Sequence, residues 1–110
     1  MVLVIRQFFP KDYVGLCLWP FIILREKHLL NDQILINHER IHLQQQWELG
    51  ILPFYVWYFI EWLWKCLLYG DRYLAYQNIS FEREAYANED NLLYPAQRKR
   101  FSFLQYCFKK

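Results

Sequence analysis

The sequence predicts an α+β domain. Three observations carry this: a β-branched and aliphatic run near the start, helical periodicity after Asn31, and few breakers, with only 3 Gly and 4 Pro in 110 residues. A chain of this length has material for one core and not two, so residues 1–110 are expected to form a single domain. Apolar residues are 55% of the chain and aromatic residues 21%. That excludes a disordered or low-complexity chain. So many rings require a dense core or an apolar partner.

Val2 to Ile5 is the first strand signal, and Arg6 to Phe9 continues it up to the turn signal Pro10-Lys11-Asp12. Tyr13 to Leu24 is apolar and reads as a second strand, with Pro20 at an edge or bulge because proline cannot donate to a sheet ladder. These two strands predict a small N-terminal antiparallel sheet. Arg25 to Leu30 is a connector. Asn31 and Asp32 are N-cap candidates for a helix over 33–49. On that helix Leu35, His38, His42, Gln45 and Leu49 share one face. Gln45 falls near the histidines, yet it reads best as an exposed helix position. Gly50 ends the helix, and Pro53 opens the next.

Ile51 to Tyr69 is apolar nearly all round, and its only charges are Glu61 and Lys65, spaced i, i+4 in the favourable order for an ion pair. Its length approaches the ~20 residues of a membrane span. Two charges deep in a bilayer would cost a few kcal/mol each, so a buried or interfacial helix is the favoured reading. Gly70-Asp71 is a turn. Arg72 to Leu93 is a third helical stretch with a break expected near Asn78 to Ser80, Ser80 as a candidate N-cap, and Pro95 as its stop. Phe101 to Phe108 is a final apolar segment whose type is not legible. The sheet is therefore expected to pack on about three helices.

Net charge is +2, which gives no argument for nucleic acid. Arg98, Lys99, Arg100, Lys109 and Lys110 cluster near the end and read as a solvated tail, with an anionic membrane as the alternative contact. Cys17, Cys66 and Cys107 are odd in number, far apart and outside any CxxC. Free thiols in a reducing, cytoplasmic location are expected. The opening residues lack the order of a secretory leader.

His38-Glu39-Arg40-Ile41-His42 is an HExxH motif. On a helix its histidines lie one turn apart and point the same way, so both rings can hold one Zn²⁺. Glu39 is rotated to the side, where it can take a proton from a water that zinc has acidified. Chance produces the motif in about one chain of this length in two hundred. The bland alternative is two surface histidines beside an ion-paired Glu39.

Zinc needs a third protein ligand and an open position. His28 lies in a polar connector and reads as a surface residue. Glu82 and Glu84, forty residues on, are better placed, because the apolar helix can run out and return. Taken alone, both would read as solvated carboxylates paired with Arg83 or Arg72.

The HExxH helix with a downstream glutamate resembles the gluzincins, the zincins with a glutamate third ligand. The likeness extends to the small single-domain minigluzincins and to the catalytic cores of membrane peptidases of the HtpX and BlaR type. Glu82-Arg83-Glu84-Ala85 followed by Leu92-Leu93-Tyr94-Pro95 is similar to the ExEA…LLxP segment of ImmA/IrrE-type peptidases, whose first glutamate binds zinc. Similar NHERIHL and NISFEREAY segments also occur in small HExxH proteins of Bacteroidetes. That last likeness covers most of the chain and carries no activity with it.

The resemblance implies a zincin-like fold and one Zn²⁺ per chain on His38, His42 and Glu82, with Glu84 as the substitute ligand. Glu39 would be the general base of a metallopeptidase acting on a peptide or protein substrate. There is one departure. Four residues after the ligand glutamate these families carry Asp or Asn to hold a ligand histidine, and here Tyr86 stands there without the charge. Tyr73, Tyr76 and Tyr86 are the oxyanion candidates. Trp19 to Leu24 lies where a substrate-aligning strand is expected, though its favoured role is sheet core, and it could serve both. The alternative function is a non-catalytic zinc-binding interaction module, with membrane association as a companion possibility. Oligomeric state is not legible.

Overall fold

The computed structural model describes residues 2–5 and 14–107. The expected strand continuation Arg6 to Phe9, the Pro10-Lys11-Asp12 turn, and Phe108, Lys109 and Lys110 lie outside the described residues. The domain is α+β: a three-stranded sheet followed by helices. The strands are β1 (Val2–Val4), β2 (Gly15–Leu18) and β3 (Phe21–Leu24), in the spatial order β1-β3-β2. The sheet is mixed rather than wholly antiparallel. β2 pairs antiparallel with β3, Leu16 opposite Ile23, whereas β1 runs parallel to β3, Leu3 opposite Ile23. The single strand expected over 13–24 is two. Pro20 occupies the turn between them, where its missing N–H costs no ladder bond.

Helix α1 (Gln33–Leu49) starts at Asp32, whose side chain accepts the N–H of Leu35 at 3.0 Å. It ends at Gly50, whose φ of 91° is open to a residue without a Cβ. Helix α2 (Ile51–Tyr69) follows at once. The third helical stretch is broken where expected, into α3 (Arg72–Gln77) and α4 (Ser80–Asn88). Ser80 does not cap α4 with its own side chain. Glu61 of α2 takes that role, accepting the Ser80 backbone N–H at 2.7 Å and its hydroxyl at 2.6 Å. Lys65, ion-paired with Glu61 at 3.6 Å, donates to the Asn78 carbonyl at 2.7 Å. The two charges of α2 thus satisfy the backbone groups that the helix break leaves open. Pro95 does not stop a long helix; it lies in the first turn of the short α5 (Tyr94–Gln97).

Two apolar clusters flank α1. Cys17, Ile22 and Leu24 of the sheet pack on Leu35, Ile36 and Leu43. On the other side Phe54, Ile79, Phe81 and Phe103 form an aromatic centre. The described part of the C-terminal segment is a 3₁₀ turn over Ser102–Tyr106 that drives Phe103 into this centre. Only Phe54, Glu61 and Lys65 of α2 are buried, so α2 is wrapped on one side and is not an enclosed core helix. The thiols of Cys17, Cys66 and Cys107 are all free.

Candidate metal centre

The buried face of α1 is polar: Asn37, His38, Glu39, His42, Gln45 and Gln46 are all enclosed, with Ile41 the lone apolar member. Buried polar groups persist when they have partners, and His38, His42 and Gln45 find theirs on α1 itself, on α4 and at the C-terminal end of α4. His38 and His42 present Nε2 to one point, 3.2 Å apart, with ring planes at 78°. Glu82 of α4 brings Oε1 to 3.0 Å from His38 Nε2 and 3.1 Å from His42 Nε2. Four ligands at 2.0–2.1 Å in a tetrahedron lie about 3.3 Å apart. The three donors already sit close to that spacing.

The far side of each ring is also held. His38 Nδ1 faces Glu89 Oε1 at 3.1 Å, and His42 Nδ1 faces Gln45 Oε1 at 2.7 Å. The Gln45 amide has one possible orientation, because its Nε2 donates to the Phe81 carbonyl at 3.1 Å and to Glu84 Oε1 at 3.0 Å. Its oxygen therefore accepts from His42, and a carboxylate at His38 does the same. With a proton on each Nδ1, both Nε2 lone pairs and a carboxylate oxygen converge, an arrangement that needs a cation between them. The donor set fits a small four-coordinate metal ion and leaves one position open.

The charges follow from this convergence. Burial works against the Glu82 carboxylate, but the facing His42 and the bonds from both imidazoles hold its pKa far below the ordinary range. Burial likewise opposes a charged His42, but Glu82 outweighs it and raises the imidazole to about 9. Without metal, a proton on His42 fills the place of the cation. Burial raises the Glu39 pKa against the opposing pull of His42 and His38.

Glu39 lies between two cavities. The larger, about 730 Å³, is walled by Tyr55, Tyr58, Phe59 and Trp62 of α2, and His42 and Glu82 open into it. The smaller, about 240 Å³, holds His38, Tyr73, Tyr86 and Glu89. Gly15, Glu39 and Tyr76 line both. Among the described residues β2 is the edge strand of the sheet on this side, and the β3 portion of Trp19 to Leu24 is the central strand, in keeping with its favoured role as sheet core. Val14 O accepts from Arg25 N at 2.9 Å. By antiparallel alternation Gly15 and Cys17 then turn their backbone groups away from β3. Gln46 occupies the Cys17 end, donating to the Cys17 carbonyl at 2.8 Å and accepting from Trp19 N at 2.6 Å. Gly15 is left facing the cleft. A Cβ there would stand 3.0 Å from Glu39 Oε2.

Of the expected site residues, His38, His42, Glu82 and Glu39 come together. Glu84 does not: it points the other way, fully enclosed, and is held by Arg98 through two nitrogens and by Tyr94 OH at 2.6 Å. Arg98 is accordingly no part of a solvated tail; Glu48 takes its Nη1 at 2.6 Å. Gln45 is buried rather than exposed, and Gln46 is buried beside it. Tyr86 stacks edge-on against His38 with centroids 4.5 Å apart, but Glu89 makes the hydrogen bond expected of position 86. His28 is exposed and faces Glu26 at 3.9 Å, away from the metal donors.

Glu89 and Tyr58 join the site without a sequence expectation, and Gln45, placed near the histidines by helix periodicity, is enclosed there instead of exposed. Glu89 follows Glu82 by two helical turns and so shares its face, a signal open to a sequence reading. Tyr58 donates to the second oxygen of Glu82 at 2.6 Å and leaves Oε1 turned toward the two imidazoles. No sequence spacing pairs it with Glu82. The described part of Phe101 to Phe108 contributes to neither cavity wall. Comparison of the chain with protein-family models, with curated proteins and with solved structures finds no match.

Proposed function

We propose that the protein is a zinc-dependent peptidase of the gluzincin type. The observation that carries this reading is the convergence of His38 Nε2, His42 Nε2 and Glu82 Oε1 within 3.0–3.2 Å of one another, with both Nδ1 atoms engaged elsewhere. Two imidazoles and one carboxylate with an open fourth position are the donor set of catalytic zinc. When bound, zinc supplies a Lewis acid that polarises water and the scissile carbonyl.

The chain's own residues do the rest. A peptide adds to the β2 edge at Gly15, through main-chain hydrogen bonds that ignore sequence. Its carbonyl is thereby held beside Glu39. Glu39 takes the proton of the attacking water and returns it to the leaving amine. The aromatic walls of the larger cavity accept an apolar side chain next to the scissile bond. Tyr76, which lines both cavities, is the hydroxyl donor best placed for the oxyanion.

The test combines metal analysis with turnover. Elemental mass spectrometry should find about one zinc per chain, absent in Glu82→Ala and retained in Glu39→Gln. A peptide library should be cleaved by the zinc-loaded protein and left intact by Glu39→Gln. Undiminished cleavage by Glu39→Gln would sink the mechanism. No metal, even after zinc is added back, would sink the site. Zinc without turnover would return the non-catalytic alternative.

A further inference from the structure

Helix α2 is built inside out for a helix in water. Its charged residues Glu61 and Lys65 are 4% and 2% exposed, whereas Leu67 is 88% and Leu52 73% exposed. At 100° per residue, the exposed side chains run from Phe59 through Leu52, Leu63 and Leu67 to Leu68, an arc of about 180°. No charge interrupts it over 19 residues. A packed partner helix or a second copy would cover a stripe of roughly 100°. An arc this wide calls for a continuous apolar medium.

We propose that α2 lies in the plane of a lipid bilayer surface, its exposed half in the acyl region and its other half carrying the domain. Inward-facing, paired charges and an outward apolar face are the arrangement that hydrocarbon selects. An upright helix is disfavoured by its neighbours. The six residues of α3 and nine of α4 are too short to span, and their ends would leave backbone groups unsatisfied at membrane depth. An in-plane helix requires only that one half be apolar.

The flank of the arc carries the matching charge. Phe103 packs edge-on against Trp57 at 5.2 Å, and Phe101 lies 6.4 Å from Phe103. Glu48, near the C-terminal end of α1, accepts the Phe101 N–H at 3.0 Å and so ties this segment to the α1–α2 junction. The exposed Lys99 and Arg100 are thereby held beside the N-terminal half of the arc, where anionic headgroups would meet them. Phe59 belongs both to the arc and to the wall of the larger cavity, so that cavity opens next to the lipid. The inference stands on α2 and does not depend on the metal reading.

The experiment is flotation of the full chain with vesicles of phosphatidylcholine and phosphatidylserine. The chain should rise with the vesicles, and Leu67→Glu should cut the bound fraction at least about tenfold without changing the circular dichroism spectrum. Ile60→Glu, also fully on the exposed arc, serves as the second variant. A chain that stays in the dense fraction would overturn the proposal. So would a lipid-free soluble dimer that Leu67→Glu dissociates, since a second copy would then be the cover.

Discussion

Glu89 Oε1 accepts the Nδ1–H of His38 at 3.1 Å, on the edge of the ring opposite the Nε2 that faces His42 and Glu82. The acceptor that the resembled families place one turn after the glutamate, Asp or Asn, is here supplied two turns after Glu82, while Tyr86 packs against the same ring. A charged acceptor on Nδ1 fixes the tautomer and makes Nε2 a better donor. Glu89→Ala should weaken zinc binding roughly 10- to 100-fold, with Glu89→Gln in between. Competition against a chromophoric chelator measures this, and unchanged affinity in Glu89→Ala would remove Glu89 from the centre.

Gly15 stands where a Cβ would press on Glu39, 3.0 Å from Oε2 and 3.3 Å from the carboxyl carbon. The obstacle is the end of a side chain, so the fold can absorb a methyl group by moving that carboxylate. Gly15→Ala is expected to retain one zinc and to lower turnover at least about tenfold, since small misplacements of a reacting group are costly. Turnover equal to the parent protein would mean that Glu39 has room to spare or does not act.

Glu84 and Arg98 form a buried bidentate pair that also orients Gln45. Removing one partner strands the other charge in the interior, a loss of about 3–5 kcal/mol. Glu84→Ala should therefore lower the melting temperature by more than about 10 °C while removing no metal ligand. A thermal melt followed by circular dichroism decides it, and a shift below about 2 °C would contradict the burial of this pair.

His42 carries a pKa of about 9 in the metal-free fold, against an ordinary 6.5. A raised folded-state pKa gives stability that is full below pH ~6.5 and is lost as pH rises through ~9. The contribution is roughly 2–4 kcal/mol. Chelator-treated protein should melt progressively lower across that window. Zinc-loaded protein should not, because its His42 Nε2 is already engaged. Equal pH profiles for the two forms would show that the proton and the metal do not share a place.

Much of the frame was legible along the chain. Asp32 as a cap, Gly50 as a terminus, the break at Asn78 to Ser80 and the Glu61–Lys65 pair are local effects, set by residues within about one helical turn. The HExxH spacing likewise determined that two imidazoles share a face. It did not determine what they face.

The choice of Glu82 over Glu84 rests on which side of α4 meets α1, and Arg98, far along the chain, settles it by claiming Glu84. Gln45 and Gln46 look like solvent-facing residues until β2 and α4 cover them. The mixed sheet has the same cause: a parallel β1–β3 pairing depends on chain return, not on strand composition. Periodicity in the sequence determined which residues of this protein travel together on each face. Only the tertiary structure decided which faces meet, because burial and hydrogen bonding between distant segments are energies of contact, and no single segment contains them.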